Sequence, residues 1–523
     1  MTVSARSTGV VFALAQLVVL ALASPPTPHI VFVMVDDLGY NDVGYHSDGS
    51  AIETDNIDAL AAGGLKLESY YVAPLCTPSR SQFLSGKYLI HNGMQHLVID
   101  PRVPRCLPLG DDTMANKLTD AGYATHLVGK WHLGFYKQEC WPLNRGFQSF
   151  FGLLLGSGDH FSHNYTDVGS GRPNAKCGQN FVGMDLRDDE VNVQAVYEDQ
   201  HSTTIFTERA QSIIRAHDQN EPMFMYLSYQ APHLPFEVPD EYFVSYRGKI
   251  NNRNRRTYAG MVTMLDESIG KLTDTLKEEG LWNDTVFIFS TDNGGVGKKN
   301  AGNNWPLRGV KGNYFEGGIR GVGFVAGPLL STNVQGTIST DLMHISDWYP
   351  TLVEGVAKVT LNHTELGLDG VNMWDVISQG ESGDPDREIV YNIDPDMQRP
   401  ASIDSKYDSY STIFDISIHA SIRRGDMKLV TGYQADTDWL APVESGFASV
   451  YATDAGKSIW LYNITADPTE QDDLSDTMAD EVVDLLGRLQ SYYTGSRFEA
   501  PANPGIDCDS DPALHGDLWT NWE

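Results

Sequence analysis

The chain has 523 residues and a formal net charge of −32, with 37 Lys+Arg against 69 Asp+Glu. A hydrophobic share of 41% and a charged share of 20% are those of a folded globular protein and exclude a mainly disordered chain. The acidic balance argues against nucleic acid or an anionic membrane as partner, because a polyanion is repelled unless basic residues are gathered locally.

The first residues carry Arg6, an apolar run from Val10 to Ala23, and then Ser24-Pro25-Pro26. A basic start, a short apolar stretch and Ala21-Leu22-Ala23 closing it predict a secretory signal peptide over residues 1–23. The run is shorter than the ~20 residues of a spanning helix, and no later stretch predicts a membrane span. On that route the protein is lysosomal or secreted, and the sequons at Asn164, Asn283, Asn362 and Asn463 become predicted glycan sites.

His29–Val35 is a continuous apolar, β-branched run ending in Asp36-Asp37, the pattern of a strand buried on both faces. Met223–Tyr229, ending near His233, and Thr285–Ser290, ending at Asp292-Asn293, read the same way. Between them an amphipathic helix is predicted from about Arg255 to Glu279, with Tyr258, Met261, Val262, Leu265, Ile269, Leu272 and Leu276 on one face. Alternating strands and helices predict an α/β sheet over residues 24–388, with ligands beyond the carboxyl ends of its strands. From about Ile389 the texture changes. Candidate strands at Ile413–Ile418, Met427–Val430 and Ser458–Tyr462 and a helix at Ala479–Tyr492 predict a smaller α+β domain over residues 389–523.

Asp36, Asp37, Asp292 and Asn293 form an all-oxygen set at two strand ends. Hard cations such as Ca²⁺ or Mg²⁺ prefer oxygen, whereas Zn²⁺ recruits histidine. Either pair alone reads as an ordinary polar turn; two at successive strand ends favour a metal.

The most informative stretch is Leu75-Cys76-Thr77-Pro78-Ser79-Arg80-Ser81-Gln82-Phe83-Leu84-Ser85-Gly86-Lys87. It resembles the sulfatase signature, Cys-x-Pro-Ser-Arg with a Leu-Thr-Gly-Arg-like tail, departing only at Ser85 and Lys87. Gly129-Lys130-Trp131-His132-Leu133-Gly134 looks like the second motif of that family. With Cys140, Arg145-Gly146-Phe147 and the C-terminal stretches 392–395, 422–425 and 428–433, the chain is most similar to the arylsulfatase B (N-acetylgalactosamine-4-sulfatase) group, which carries more cysteines.

The resemblance implies an alkaline-phosphatase-like large mixed sheet flanked by helices, with a smaller C-terminal domain on an antiparallel sheet. It also implies a sulfuric ester hydrolase. Cys76 is converted, by a formylglycine-generating enzyme, to an aldehyde whose hydrate attacks sulfur with one hydroxyl and expels sulfate with the other. Arg80 then steadies the hydrate, and Lys130 holds the hydrate and a sulfate oxygen. His132 acts as base in the elimination, His233 binds sulfate and helps protonate the leaving oxygen, and Lys311 sits on the sulfate and bridging oxygen. Asp36, Asp37, Asp292, Asn293 and modified Cys76 hold one Ca²⁺. Substrates on this reading are N-acetylgalactosamine 4-sulfate units of chondroitin or dermatan sulfate, or aryl sulfates, with specificity in loops such as 156–183. Two proton-exchanging histidines suggest an acidic to near-neutral optimum.

The chain has five cysteines, an odd count in an oxidising compartment. With Cys76 modified, four remain and can pair in three ways. Cys106–Cys140 is favoured because the two flank one strand segment, and the pairing of Cys177 and Cys508 stays open. Two other functions are weighed. A phosphomonoesterase or phosphodiesterase on the same sheet would use Ser or Thr with two Zn²⁺ ions and further histidines, against which Asn293 argues. An inactive secreted binding protein would show erosion of the cluster, and none is seen.

Overall fold

The computed structural model describes residues 27–167, 177, 181–297, 301–397, 405–453 and 456–523. The predicted signal peptide and much of the 156–183 loop lie outside the described residues.

The core is a ten-stranded mixed sheet. Its centre is formed by β1 (His29–Val35), β2 (Ala124–Lys130), β3 (Ser149–Leu153), β4 (Met223–Ser228) and β5 (Thr285–Thr291), all parallel, in the order β5-β1-β4-β2-β3. Every residue of β1, β4 and β5 is buried. This explains their unbroken apolar runs: both faces are covered, and each buried Val, Ile or Phe contributes about 1.5–3 kcal/mol. Antiparallel β6 (Gly323–Ala326) extends the sheet beyond β5.

Helices cover both faces. On one lies α1 (Cys76–Ser85), all ten of whose residues are buried, so it shows no polar stripe. On the other lie α2 (Ser202–Ala216) and α3 (Arg253–Glu278), the latter beginning two residues earlier than its apolar pattern indicated because Asn252 caps it by accepting from the Arg255 N–H.

A second, four-stranded antiparallel sheet comprises β7 (Glu388–Asp394), β8 (His419–Arg424), β9 (Met427–Thr431) and β10 (Ile459–Asn463), covered by α4 (Ala479–Tyr493). The expected architecture, a large mixed α/β sheet with a small antiparallel one, is therefore the one observed. One strand is misplaced. Residues 413–418 alternate like a strand but form a turn, in which Asp415 accepts from the Ser417 N–H and hydroxyl, and the Ile418 N–H bonds the Asp415 carbonyl. The strand follows immediately, at β8.

After α4 the tail leaves the small sheet and packs on the large one. Glu499 N–H bonds the Ile90 carbonyl, Trp519 is fully buried, and Cys508 is bonded to Cys177. The expected Cys106–Cys140 bridge is also present, and Cys76 is the free cysteine.

Candidate active site

Register sets the site. Val35 pairs with Thr291 and Met34 with Ser228, so β1, β4 and β5 release their next residues at one level. Asp36, Asp37, Asp292 and Asn293 emerge there, all buried, as expected beyond the carboxyl ends of parallel strands. Lys130 closes β2 beside them, and α1 begins with Cys76, presenting its positive end to the same place.

The side chains interlock. Lys130 Nζ donates to Asp36 Oδ2. Lys311 Nζ donates to Asp37 Oδ1 and lies 3.3 Å from Cys76 Sγ, while the thiol lies 3.4 Å from Asp36 Oδ1. Arg80, one helical turn after Cys76, sends Nε and Nη2 to Asp292 Oδ2 (3.1 and 2.8 Å) and Nη1 to Ser228 Oγ (2.6 Å). His233 Nδ1 donates to the Leu234 carbonyl (2.7 Å), which directs Nε2 towards Asp37 Oδ2, 3.6 Å away. Asp36, Asp37, Cys76 and His233 each offer one ligand atom within 4.8 Å of the others.

His132 stands on the opposite wall in a left-handed backbone conformation (φ 55°), its carbonyl accepting from Thr77 Oγ1 (2.9 Å). Gly156 lies flat against its ring. A Cβ there would stand 2.4 Å from His132 Cε1, so any larger residue would have to displace the imidazole. Cys76, His132, His233 and Lys311 open together into a cavity of about 440 Å³, whose outer walls include Leu97, Ile99, Leu155 and Tyr165.

Burial works against ionisation throughout the centre, and neighbouring charges decide the outcome. Asp36 is held well below the carboxylate range because Lys130, His233, Arg80 and Lys311 outweigh its burial. Asp292 is pushed up to about 6, by burial and then by Asp36, against the pull of Arg80 and Lys130. Burial and the Asp36 carboxylate push the Cys76 thiol up to about 12. Burial, reinforced by Lys130 and Arg80, drives His132 well below the usual imidazole range. His233 is also lowered by burial, opposed by Asp36 and Asp37. Lys311 stays charged against its burial through Asp37, Cys76 and the other carboxylates.

The residues singled out for chemistry in the sequence gather at one end of the sheet. Cys76, His132, His233 and Lys311 line the cavity, while Asp36, Asp37, Arg80, Lys130, Asp292 and Asn293 are buried beside it. Lys130 turns to Asp36, and Arg80 to Asp292 and Ser228 rather than to Cys76. Ser228 and Gly156 were not anticipated. Ser228 also donates to the Lys130 carbonyl (2.7 Å), and its only signal was a lone hydroxyl closing an apolar strand. Gly156 carried none. Of the four sequons, Asn283 and Asn362 are exposed, whereas Asn164 and Asn463 are half-buried and Asn164 accepts a hydrogen bond from Gln194.

Among the described residues Asp37 Oδ2 and Asn293 Oδ1 are buried acceptors without a hydrogen-bond partner. Such atoms normally have one. Two oxygens left over beside Asp36 and Asp292 fit a hard cation.

Three cations and two imidazoles are gathered here against the three carboxylates Asp36, Asp37 and Asp292, inside a protein of net charge −32. The Sulfatase family model matches residues 28–356; the chain belongs to the sulfatase family, and it is an enzyme that hydrolyses sulfate esters. It is similar to Arylsulfatase J of Mus musculus, 44% identical over 512 residues covering 96% of this chain and 81% of that protein. It is also similar to N-acetylgalactosamine-6-sulfatase of Homo sapiens, 29% identical over 71% of this chain and 69% of the relative. Among solved structures, Ps i-CgsB in complex with k-i-k-neocarrahexaose superposes with a TM-score of 0.73 at 25% identity, covering 94% of this chain and 97% of that one.

Proposed function

We propose that this sulfatase is of the arylsulfatase B-like type and follows the secretory route to the lysosome or the exterior. Its substrates are sulfated sugars, such as N-acetylgalactosamine 4-sulfate units of chondroitin or dermatan sulfate, or aryl sulfates. Residue 76 works as formylglycine, and one Ca²⁺ is held by Asp36, Asp37, Asp292, Asn293 and residue 76. The observation that carries this reading is the position of Cys76, at the floor of the pocket between Asp36 and Lys311. The sugar reading is supported by one relative named for a sulfated amino sugar and one structural neighbour holding an oligosaccharide.

The unmodified thiol suits the chemistry poorly: held near 12, it stays protonated at neutral pH, and the thiol is a weak nucleophile. An aldehyde hydrate at position 76 supplies a nucleophile that can be regenerated by elimination, and a bound Ca²⁺ supplies positive charge to a sulfate oxygen. The remaining tasks belong to this chain's side chains. Lys311 reaches the cavity and pairs with negative charge on sulfate and on the bridging oxygen. Lys130 and Arg80, fully buried, fix Asp36 and Asp292 in their ionised positions. His132 is kept neutral with Nδ1 lacking a partner among the described residues, and an anion arriving in the cavity raises its proton affinity towards that of a base. His233 has Nε2 facing the reacting centre, and an arriving anion raises its affinity for the proton it hands to the leaving oxygen.

Peptide mass spectrometry over Cys76 tests this directly. Conversion lowers the peptide mass by about 18 Da, and Cys76→Ala lowers kcat/KM by about 10⁴-fold or more without unfolding the protein. Fully active protein carrying an unmodified Cys76 thiol overturns the reading.

A further inference from the structure

Asp37 has a backbone φ of +64°, the left-handed region that L residues avoid unless the surroundings impose it. Besides its contacts with Asp292, Asn293 and Lys311, the turn is held from outside the pocket. Tyr258, on α3, is fully buried, and its hydroxyl meets the turn at two points: it accepts from the Gly39 N–H (3.3 Å) and shares its proton between the Asp37 carbonyl (3.1 Å) and Asp42. The same hydroxyl lies 2.9 Å from Asp42 Oδ2.

Asp42 is the hub. Its Oδ2 also accepts from the Asn303 N–H (2.7 Å), and its Oδ1 from Arg255 Nη1 (2.6 Å). Arg255, three residues before Tyr258 on the same helix face, is 1% exposed and spends its other donors on the Ala301 carbonyl, Ser50 and Glu444. The segment held in this way, 301–304, joins the two metal-side turns. Asn304 exchanges hydrogen bonds with Gly295 (2.8 and 2.9 Å), just after Asn293, while the Asn303 carbonyl accepts from the Asn41 N–H (2.9 Å). A Cβ on Gly39 would stand 2.2 Å from that carbonyl, so the two loops touch through a glycine.

We infer that Tyr258, Asp42 and Arg255 are positioning residues that hold the Asp37 carboxylate, and through segment 301–304 the Asn293 turn, in cation-binding geometry. They touch neither the cavity nor the reacting atoms. Their charges and hydroxyl are buried, and the contacts they make converge on the two turns. The inference rests on the proposal that the oxygen cluster takes Ca²⁺.

The test is calorimetric titration of the chelator-stripped full chain with CaCl₂, alongside melting with and without Ca²⁺. Tyr258→Phe keeps the ring and deletes the hydroxyl; it is expected to weaken Ca²⁺ binding about 10-fold or more. The variant's Ca²⁺-induced rise in Tm shrinks, and excess Ca²⁺ restores kcat towards the wild-type value with KM little changed. Arg255→Lys, which keeps the charge but loses the fork that reaches Asp42 and Glu444 together, gives a smaller weakening and serves if Tyr258→Phe does not fold. Variants that bind Ca²⁺ as wild type does, while melting lower by the same amount in both forms, overturn the inference and leave these residues a purely structural role. Wild-type protein that shows no Ca²⁺ binding overturns the calcium proposal itself, a failure seen before any variant is measured.

Discussion

Two buried ion clusters, which approach each other along the chain only at Lys311 and Glu316, invite comparison. One is the proposed active centre, where Asp36, Asp37 and Asp292 face Arg80, Lys130 and Lys311. The other lies between the two sheets. There Lys428 Nζ stands 2.6 Å from Glu316 and 2.8 Å from Glu470, all three side chains fully enclosed, with Arg320 within 4 Å of Glu316. Composition does not separate them, since both set lysine and arginine against carboxylates in the dark. The separation lies in what reaches the surface. In the active centre the Lys311 side chain is 15% exposed and that of His233 18%, and two oxygens are left without partners among the described residues. In the inter-sheet cluster the central lysine has carboxylates on both sides and no opening. A closed cluster serves cohesion, and the same chemistry with an open edge serves binding.

That contrast breaks down unless two lysine substitutions have opposite consequences. Lys311→Met removes a cation from the open edge. It is expected to lower kcat/KM for an aryl sulfate by about 10²–10³-fold, the scale of deleting one charge-stabilising group at a reacting centre. Melting temperature changes by only a few degrees, because the Lys311 side chain sits at the open edge and Asp37 keeps the Asn293 amide and His233 beside it. Lys428→Met leaves two buried carboxylates facing each other with no counter-charge between them. Breaking a buried ion pair costs about 3–5 kcal/mol, read as a lower denaturation midpoint, while kcat/KM per folded molecule stays within about twofold. A stable, inactive Lys428→Met or a grossly unstable Lys311→Met defeats the distinction.

How much of this was legible in the sequence follows from range. β1, β4 and β5 announce themselves because burial on both faces demands an uninterrupted apolar run, and the residues following such strands in a parallel sheet are necessarily neighbours. Asp36, Asp37, Asp292 and Asn293 were therefore readable as neighbours, while Cys76, Lys130 and His132 were singled out by the resemblance of their motifs to those of the sulfatases. Tyr258 was also singled out, but as one more apolar residue on the buried face of α3; nothing local to a helix reveals that its hydroxyl meets a turn 221 positions away. Lys428 is a lone charge in the short candidate strand Met427–Val430, and its burial depends on partners far along the chain, Glu316 and Glu470. The false strand at 413–418 failed in the opposite sense: alternation was present, but Asp415 and Ser417 satisfied the backbone locally as a turn.

The finest test of the closed cluster is a slope with pH rather than a loss. Burial raises the Glu470 carboxyl; Lys428 pulls it back and Glu316 pushes it further, leaving it at about 7 against an ordinary 4.5. Glu316 goes the other way, held below the usual range because Lys428 and the nearby arginines outweigh its burial. Between about pH 4.5 and 7 the folded protein therefore keeps a proton at Glu470 that the unfolded chain has already released. The unfolded state binds fewer protons in this window, so the contribution of Glu470 to stability is greatest below it and declines as pH rises. The decline is on the order of 1–3 kcal/mol. Glu470→Gln cannot ionise and removes that component, so urea denaturation at pH 5, 6, 7 and 8 should show a shallower fall for the variant than for wild type. Parallel stability curves would mean that Glu470 is already ionised at pH 5, and that Lys428 compensates both carboxylates fully.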